Sequence, residues 1–229
     1  MLLPSRCPIC DTLGAAPCGP CRQSLLPPPA LPLPLALDRL AVVFAYEGAG
    51  RRLITRLKYG NARSSLAWLA RALAEVAGSG SGQERPDVVT WVPTSPDRRR
   101  SRGFDQAELL ARRLAKRLHV PARPLLVHNA GAPQTGRSAV ERRLGPPLAL
   151  RRRARVPPRV LVVDDVVTTG ATLSAAARAL RRAGATQVSA VAAARTPLRL
   201  NAIHPYTAAC TARGSVVASR CQSQAKRPT

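Results

Sequence analysis

Two adjacent carboxylates, Asp164 and Asp165, stand just ahead of a hydroxyl- and glycine-rich run, Thr168, Thr169, Gly170, Ala171 and Thr172. These residue types suit the two halves of one ligand. A loop that leads into a helix presents unpaired backbone N–H groups at the positive end of the helix dipole, and so attracts a phosphate. Thr168, Thr169 and Thr172 add hydroxyl donors, and Gly170 lets the backbone approach an anion without a Cβ in the way. Carboxylates beside a phosphate make sense where they accept hydrogen bonds from sugar hydroxyls, with Mg²⁺ held nearby. A phosphorylated ribose satisfies both halves, its 5-phosphate in the loop and its 2′- and 3′-hydroxyls on the carboxylates. The same residues could also make an ordinary strand–loop–helix with Thr168 or Thr169 as N-cap, or an acidic Mg²⁺ site of another doubly wound fold.

A second chemical cluster lies near the N-terminus, where Cys7, Cys10, Cys18 and Cys21 form two C-x-x-C knuckles. Paired knuckles bring four thiolates within reach of one tetrahedral Zn²⁺, and Pro8, Gly19 and Pro20 favour the turns. Disulfides or redox dithiols are the competing reading. A cytosolic setting disfavours disulfides, and a redox pair needs no duplication. With four protein ligands no coordination position stays open, so the expected role of the metal is structural.

The elements that must position these groups follow from the apolar pattern. Val160 to Val163 is an unbroken β-branched run, as in a strand buried on both faces of a parallel sheet. It is expected to surface at Asp164, and an alanine-rich helix should follow the loop through Leu180. Other strands are expected over Leu40–Tyr46, Asp87–Val92, Val120–Val127 and Gln187–Ala194. Helices are expected over Arg51–Tyr59, Ser64–Ala77 and Gln106–Leu118, with EGAG (47–50) as a turn. Strand–helix alternation of this kind predicts an α/β fold with a parallel sheet and helices on both faces. Sites in such sheets gather at the C-terminal ends of strands. Three loops lie there: Pro93–Gly103 with Arg98, Arg99, Arg100 and Arg102, the Gly- and Arg-rich loop Ala130–Gly145, and Asp164–Gly170. The arginines could grip a pyrophosphate in bidentate fashion, or form a solvated loop or a nucleic-acid patch.

Four segments result: a cysteine module over 1–24, a proline-rich linker over 25–39, an α/β domain over 40–196, and a tail over 197–229 expected to be disordered. His204, Cys210 and Cys221 in that tail read as stray residues rather than a metal site. The chain carries 36 basic and 12 acidic residues, a formal charge of +24, which implies a polyanionic partner, an anionic substrate, or both. No signal-peptide pattern is visible, and the most apolar stretch, Leu25 to Leu37, is broken by five prolines. The expectation is a cytoplasmic protein without membrane insertion.

The segment VLVVDDVVTTGATL resembles the PRPP-binding signature of type I phosphoribosyltransferases, whose acidic pair contacts the ribose hydroxyls and whose TTGAT loop cradles the 5-phosphate. The cysteine knuckles, AYEGAGRRLITRLKYG, VPTSPDRRRSRGFDQAELLA, QTGRSAVERR and the acidic signature follow the order of the ComF family, over roughly Cys7 to Thr196. That family resembles a zinc ribbon joined to a type I phosphoribosyltransferase domain. Asp105 departs from its pattern, which usually has Asn there, and a second cysteine pair frequent in the family is absent. The resemblance implies a role in natural competence or in uptake and use of external DNA.

Two functions are compatible with these readings. One is Mg²⁺-dependent phosphoribosyl transfer from PRPP. Asp164 and Asp165 would hold the ribose, Thr168 to Thr172 the 5-phosphate, and Arg100, Arg102 and Lys58 the leaving pyrophosphate, with Ala130–Gly145 closing over the site. The other is a non-catalytic competence factor that grips single-stranded DNA through the zinc module and arginines. A competence helicase is a candidate partner in either case.

Overall fold

An apolar, β-branched run needs cover on both faces, and Val160–Val163 find it at the centre of a four-stranded sheet. The computed structural model of the chain describes residues 5–30, 32–59, 63–79, 84–95, 100, 103–128 and 148–197. In chain order its elements are α1 (Gly19–Gln23), β1 (Arg39–Ala45), α2 (Gly48–Tyr59), a 3-10 turn (Arg63–Ser65), α3 (Leu66–Gly78), β2 (Val88–Trp91), α4 (Gln106–Leu118), β3 (Leu126–His128), β4 (Leu148–Leu150), β5 (Arg159–Val167), α5 (Ala171–Arg182) and β6 (Gln187–Arg195). The main sheet has the order β1-β6-β5-β2 and every pairing in it is parallel. The described residues, which end at Pro197, belong to one compact unit.

The two faces carry separate cores. On one, Leu53 and Ile54 of α2, Leu69 and Leu73 of α3, and Leu110 and Leu114 of α4 close over Leu161, Val163 and Val191. On the other, Leu173 and Leu180 of α5, with Leu126 of β3 and Leu148 of β4, cover Val160, Val162 and Val188. Burial of each such side chain contributes about 1.5–3 kcal/mol, and together these contacts fix the ends of β5 and α5 where the carboxylates and the glycine loop lie. The expected α/β class, with helices on both sheet faces, is what the chain adopts. Among the described residues no helix is long and apolar enough to cross a membrane.

Four expectations need correction. β5 does not end at the acidic pair: it runs to Val167, because its ladder with β6 continues through Asp164↔Ala192 and Val166↔Ala194 to Val167↔Arg195. The expected strand over Val120–Val127 joins the main sheet only through a single bridge, Val89↔Ala122. Pro121 and Pro124 have no N–H to extend that ladder, and the chain turns away into β3, which pairs antiparallel with β4. β4 itself was not expected. The turn expected over 47–50 contains the start of α2, which begins at Gly48.

That early start depends on Gly50. A Cβ there would lie within contact distance of the Ala45 carbonyl oxygen and 2.7 Å from Phe44 Cδ2, so α2 approaches the end of β1 backbone to backbone. Gly50→Ala is therefore expected to destabilise the protein by about 2–3 kcal/mol, in spite of alanine's better helix propensity. A thermal melt would show a midpoint lowered by roughly 4–12 °C. An unchanged or raised midpoint would mean that the approach is looser than the structure shows.

The proline-rich segment expected as a linker is bonded to the domain along its length. Leu26 O accepts from Ala45 N (2.9 Å), Pro32 O from Arg195 Nη2 (2.9 Å), and Ala36 O from Arg181 Nε (3.0 Å). Leu37 is buried in the α5-side core. The expected loop Ala130–Gly145 and the tail over 198–229 lie outside the described residues.

Candidate functional site

Asp164 and Asp165 lie near the C-terminal end of β5, the edge at which parallel sheets gather ligands. The backbone N–H of Asp165 donates to Asp164 Oδ1 at 2.8 Å, which orients the first carboxylate. Asp165 Oδ2 lies 3.0 Å from Lys58 Nζ, and each of these two side chains is only 16% exposed. Lys58 sits on the last turn of α2, so that salt bridge brings the C-terminal ends of β5 and α2 together. The sequence expectation puts Lys58 on the pyrophosphate. In the structure its ammonium is paired with Asp165.

Asp105 adds a third carboxylate to the surroundings. It is buried as the N-cap of α4, with Oδ1 accepting from Glu108 N at 3.2 Å and Oδ2 from Thr94 N at 2.8 Å. Both oxygens therefore act as acceptors. An Asn in this place could accept at only one of its two terminal atoms, which gives a physical reason for the acid here. The neighbouring Gln106 is also buried, and its Nε2 reaches Lys58 O at 3.5 Å.

The charge balance acts on Asp164. Burial and then repulsion from Asp165 push its carboxyl up to about 8, with Asp105 adding to the rise and Lys58 opposing it. The folded protein thus holds a proton on Asp164 that the unfolded chain has lost above about pH 4. Stability attributable to this group is full below that pH and drains away as pH rises through about 8. Asp164→Asn removes the buried charge and keeps an acceptor for Asp165 N. Lys58 offsets part of the desolvation cost, so the variant should gain about 2 kcal/mol at pH 8, a midpoint rise of roughly 4–8 °C, and nothing at pH 4. Melts across that range check the sign; a variant less stable at pH 8 would contradict it.

The loop reaches α5 through Thr168 and Thr169, both exposed, and Gly170, which is buried with φ +77°. Thr169 Oγ1 accepts from Ala171 N at 3.3 Å, so one of the expected phosphate hydroxyls caps the first helical amide. Ala171 and Thr172 are part-buried. Of the arginines expected on a pyrophosphate, Arg100 is exposed, while Arg98, Arg99 and Arg102 lie outside the described residues. Sequence reasoning did not single out Arg195, which ends β6, is 7% exposed and pairs in register with Val167. Its signal was an arginine closing an apolar strand.

The cysteine cluster is assembled as its spacing implies. The Sγ atoms of Cys7, Cys10, Cys18 and Cys21 all lie within 4.8 Å of one another, and Cys10 and Cys18 are 3.7 Å apart. A tetrahedral ion with about 2.3 Å metal–sulfur bonds has sulfur–sulfur edges of about 3.8 Å, so the donor set fits a metal such as zinc. Burial pushes the Cys7 thiol up, but N–H groups of Cys18, Cys10 and Ile9 outweigh it and bring it down to about 6. Hydrogen bonding with Thr12 lowers Cys10 as well. Burial and its sulfur neighbours push Cys21 up to about 12, the signature of four thiols that cannot all ionise without a cation among them.

Comparisons with known proteins give the chain's relatives. A family model for the phosphoribosyl transferase domain matches residues 105–215. The chain is 35% identical over 199 residues to the DNA utilization protein YhgH of Escherichia coli O157:H7, covering 83% of this chain and 84% of that one. Competence protein F of Haemophilus influenzae is 29% identical over 164 residues, 66% of this chain and 70% of its own. Among solved structures, a glutamine phosphoribosylpyrophosphate amidotransferase from B. subtilis, complexed with ADP and GMP, is 27% identical with a TM-score of 0.41, over 57% of this chain and 26% of that one.

Proposed function

We propose that this chain, which belongs to the ComF family of phosphoribosyltransferase-like proteins, binds PRPP with Mg²⁺ and serves DNA uptake or utilisation in the cytoplasm. The observation that carries the ligand is the meeting of Asp164, Asp165 and Lys58 at the end of β5 with a glycine-led loop opening α5. The biological role rests on relatives named for DNA utilisation and for competence.

Each residue then has one task. Asp164 and Asp165 accept the 2′- and 3′-hydroxyls of the ribose. Thr168, Thr169, Gly170, Ala171 and Thr172 take the 5-phosphate on amides and hydroxyls, Thr169 exchanging its Ala171 bond for the ligand. Lys58, with Arg100 and Arg102, neutralises the pyrophosphate. Hard carboxylate oxygens suit Mg²⁺, which would supply charge neutralisation to the diphosphate. A Zn²⁺ held by the four cysteines would be structural, because it keeps no open position.

The reading is tested by melting the full-length protein with PRPP and Mg²⁺ against Mg²⁺ alone. At a hundredfold excess over Kd the ligand should stabilise by about 2.7 kcal/mol, a rise of roughly 5–11 °C. No rise at millimolar PRPP would remove the reading.

A further inference from the structure

Gly170 lacks a side chain for two reasons. Its φ of +77° is one, since L residues rarely adopt it. The other is Pro34: a Cβ on Gly170 would lie 2.5 Å from Pro34 Cγ and 2.9 Å from Pro34 Cβ. The proline ring therefore rests directly on the glycine that opens α5, far along the chain from it.

The segment carrying Pro34 is held on both sides of that contact. Two residues before it, Pro32 O accepts from Arg195, which lies one strand over from Val167, the residue that leads into the loop. Two residues after it, Ala36 O accepts from Arg181 in the last turn of α5. Arg181 Nη2 also pairs with Asp38 Oδ1 at 2.6 Å, and Asp38 Oδ2 accepts from Val188 N at 2.6 Å. Leu37 is sealed in the core beneath α5. The strap is thus pinned to β6 and to the far end of α5, and it touches the near end of α5 at the loop itself.

Such an arrangement does more than cover a surface. A short glycine turn is free to choose among several backbone states, and its amides point at one anion position in only some of them. Two fixed anchors and one ring contact select a state. We infer that the strap positions the 168–170 loop, with Pro34 fixing Gly170 and Arg195 fixing the strap. Neither residue touches the ligand; both act through the loop. The consequence for affinity rests on the PRPP reading above, whereas the hold on the loop does not.

The test uses the full chain and its Pro34→Gly variant, with Pro27→Gly as the control. Pro27 is exposed in the same segment, so the control carries the same added freedom in the unfolded chain. Amide hydrogen exchange at Gly170 to Leu173 should quicken about tenfold in Pro34→Gly and stay unchanged in Pro27→Gly, with Val160–Val163 of β5 protected in both. Calorimetric titration with PRPP and Mg²⁺ should give a Kd raised about tenfold by Pro34→Gly alone. Arg195→Gln should act in the same direction and Arg195→Lys, which keeps a donor for Pro32 O, should recover part of the loss. Unchanged exchange at Gly170 to Leu173 in Pro34→Gly overturns the inference. So does altered exchange with an unaltered Kd. Wild-type protein that takes up no PRPP refutes the ligand and not the strap, whose hold on the loop is read by exchange.

Discussion

Asp165→Asn is expected to remove half or more of the thermal stabilisation by PRPP and Mg²⁺ while leaving a folded protein. The amide that replaces the carboxylate presents an N–H₂ where a ribose hydroxyl should donate, so an acceptor becomes a second donor. A lost charge-assisted hydrogen bond of this kind costs about 1.5–3 kcal/mol of binding, which at a hundredfold excess cuts the stabilisation from about 2.7 to about 0.3–1.3 kcal/mol. The same substitution strands Lys58, whose Nζ lies 3.0 Å from Asp165. Because that pair is not sealed from solvent, the resting protein should lose only about 1 kcal/mol. If Asp165→Asn melts higher with PRPP by as much as the wild type does, the acidic pair is not the ribose contact.

The second large effect is expected from the cysteine cluster. With a metal removed, four sulfurs crowded within 4.8 Å lose the cation that reconciles their charges. Ile9 and Leu25 pack against the main core, so an unravelled module also exposes apolar surface of the domain. Treatment with a strong chelator, or Cys10→Ser, should lower stability by about 4 kcal/mol, a midpoint fall of roughly 8–16 °C. Metal analysis of the purified protein should find about one zinc per chain. Protein that melts identically with and without chelator would show that the cluster carries no structural ion.

The legible parts of the molecule were those in which one residue type has one physical reason. Val160–Val163 fits a strand covered on both sides, and it is one. The knuckle spacing of Cys7, Cys10, Cys18 and Cys21 brought four sulfurs together as it implied. The alanine-rich run expected as a helix after the loop is α5, although its N-cap is Gly170 and not Thr168 or Thr169. Less legible were features that depend on residues far apart in the chain. A run of prolines reads as a spacer, and nothing local announces that Pro34 lies on Gly170 or that Pro32 O meets Arg195. The end of β5 was misplaced because carboxylates suggest an exposed turn, whereas the ladder to β6 carries the backbone past them to Val167.

The arginine excess shows the same limit. Some of it serves the scaffold rather than a ligand: Arg39 donates to Val76 O and Ala77 O at the C-terminus of α3, and Arg159 pairs with Asp87 and Glu84. Composition counts these groups with the rest. Asp105 is the converse case. It stood out in the sequence only as an acid where an amide is usual, and its meaning, two accepted N–H bonds and one more negative charge near Asp164, required the coordinates.

The central claim is that Asp164, Asp165 and the 168–172 loop receive one phosphorylated sugar. Isothermal titration of the full-length protein with PRPP in the presence of Mg²⁺ tests it most directly. The account predicts a single saturable site with a Kd below about 1 mM, competed by ribose 5-phosphate and weakened in Asp165→Asn. Heat that never saturates, or binding that survives Asp165→Asn unchanged, would contradict it.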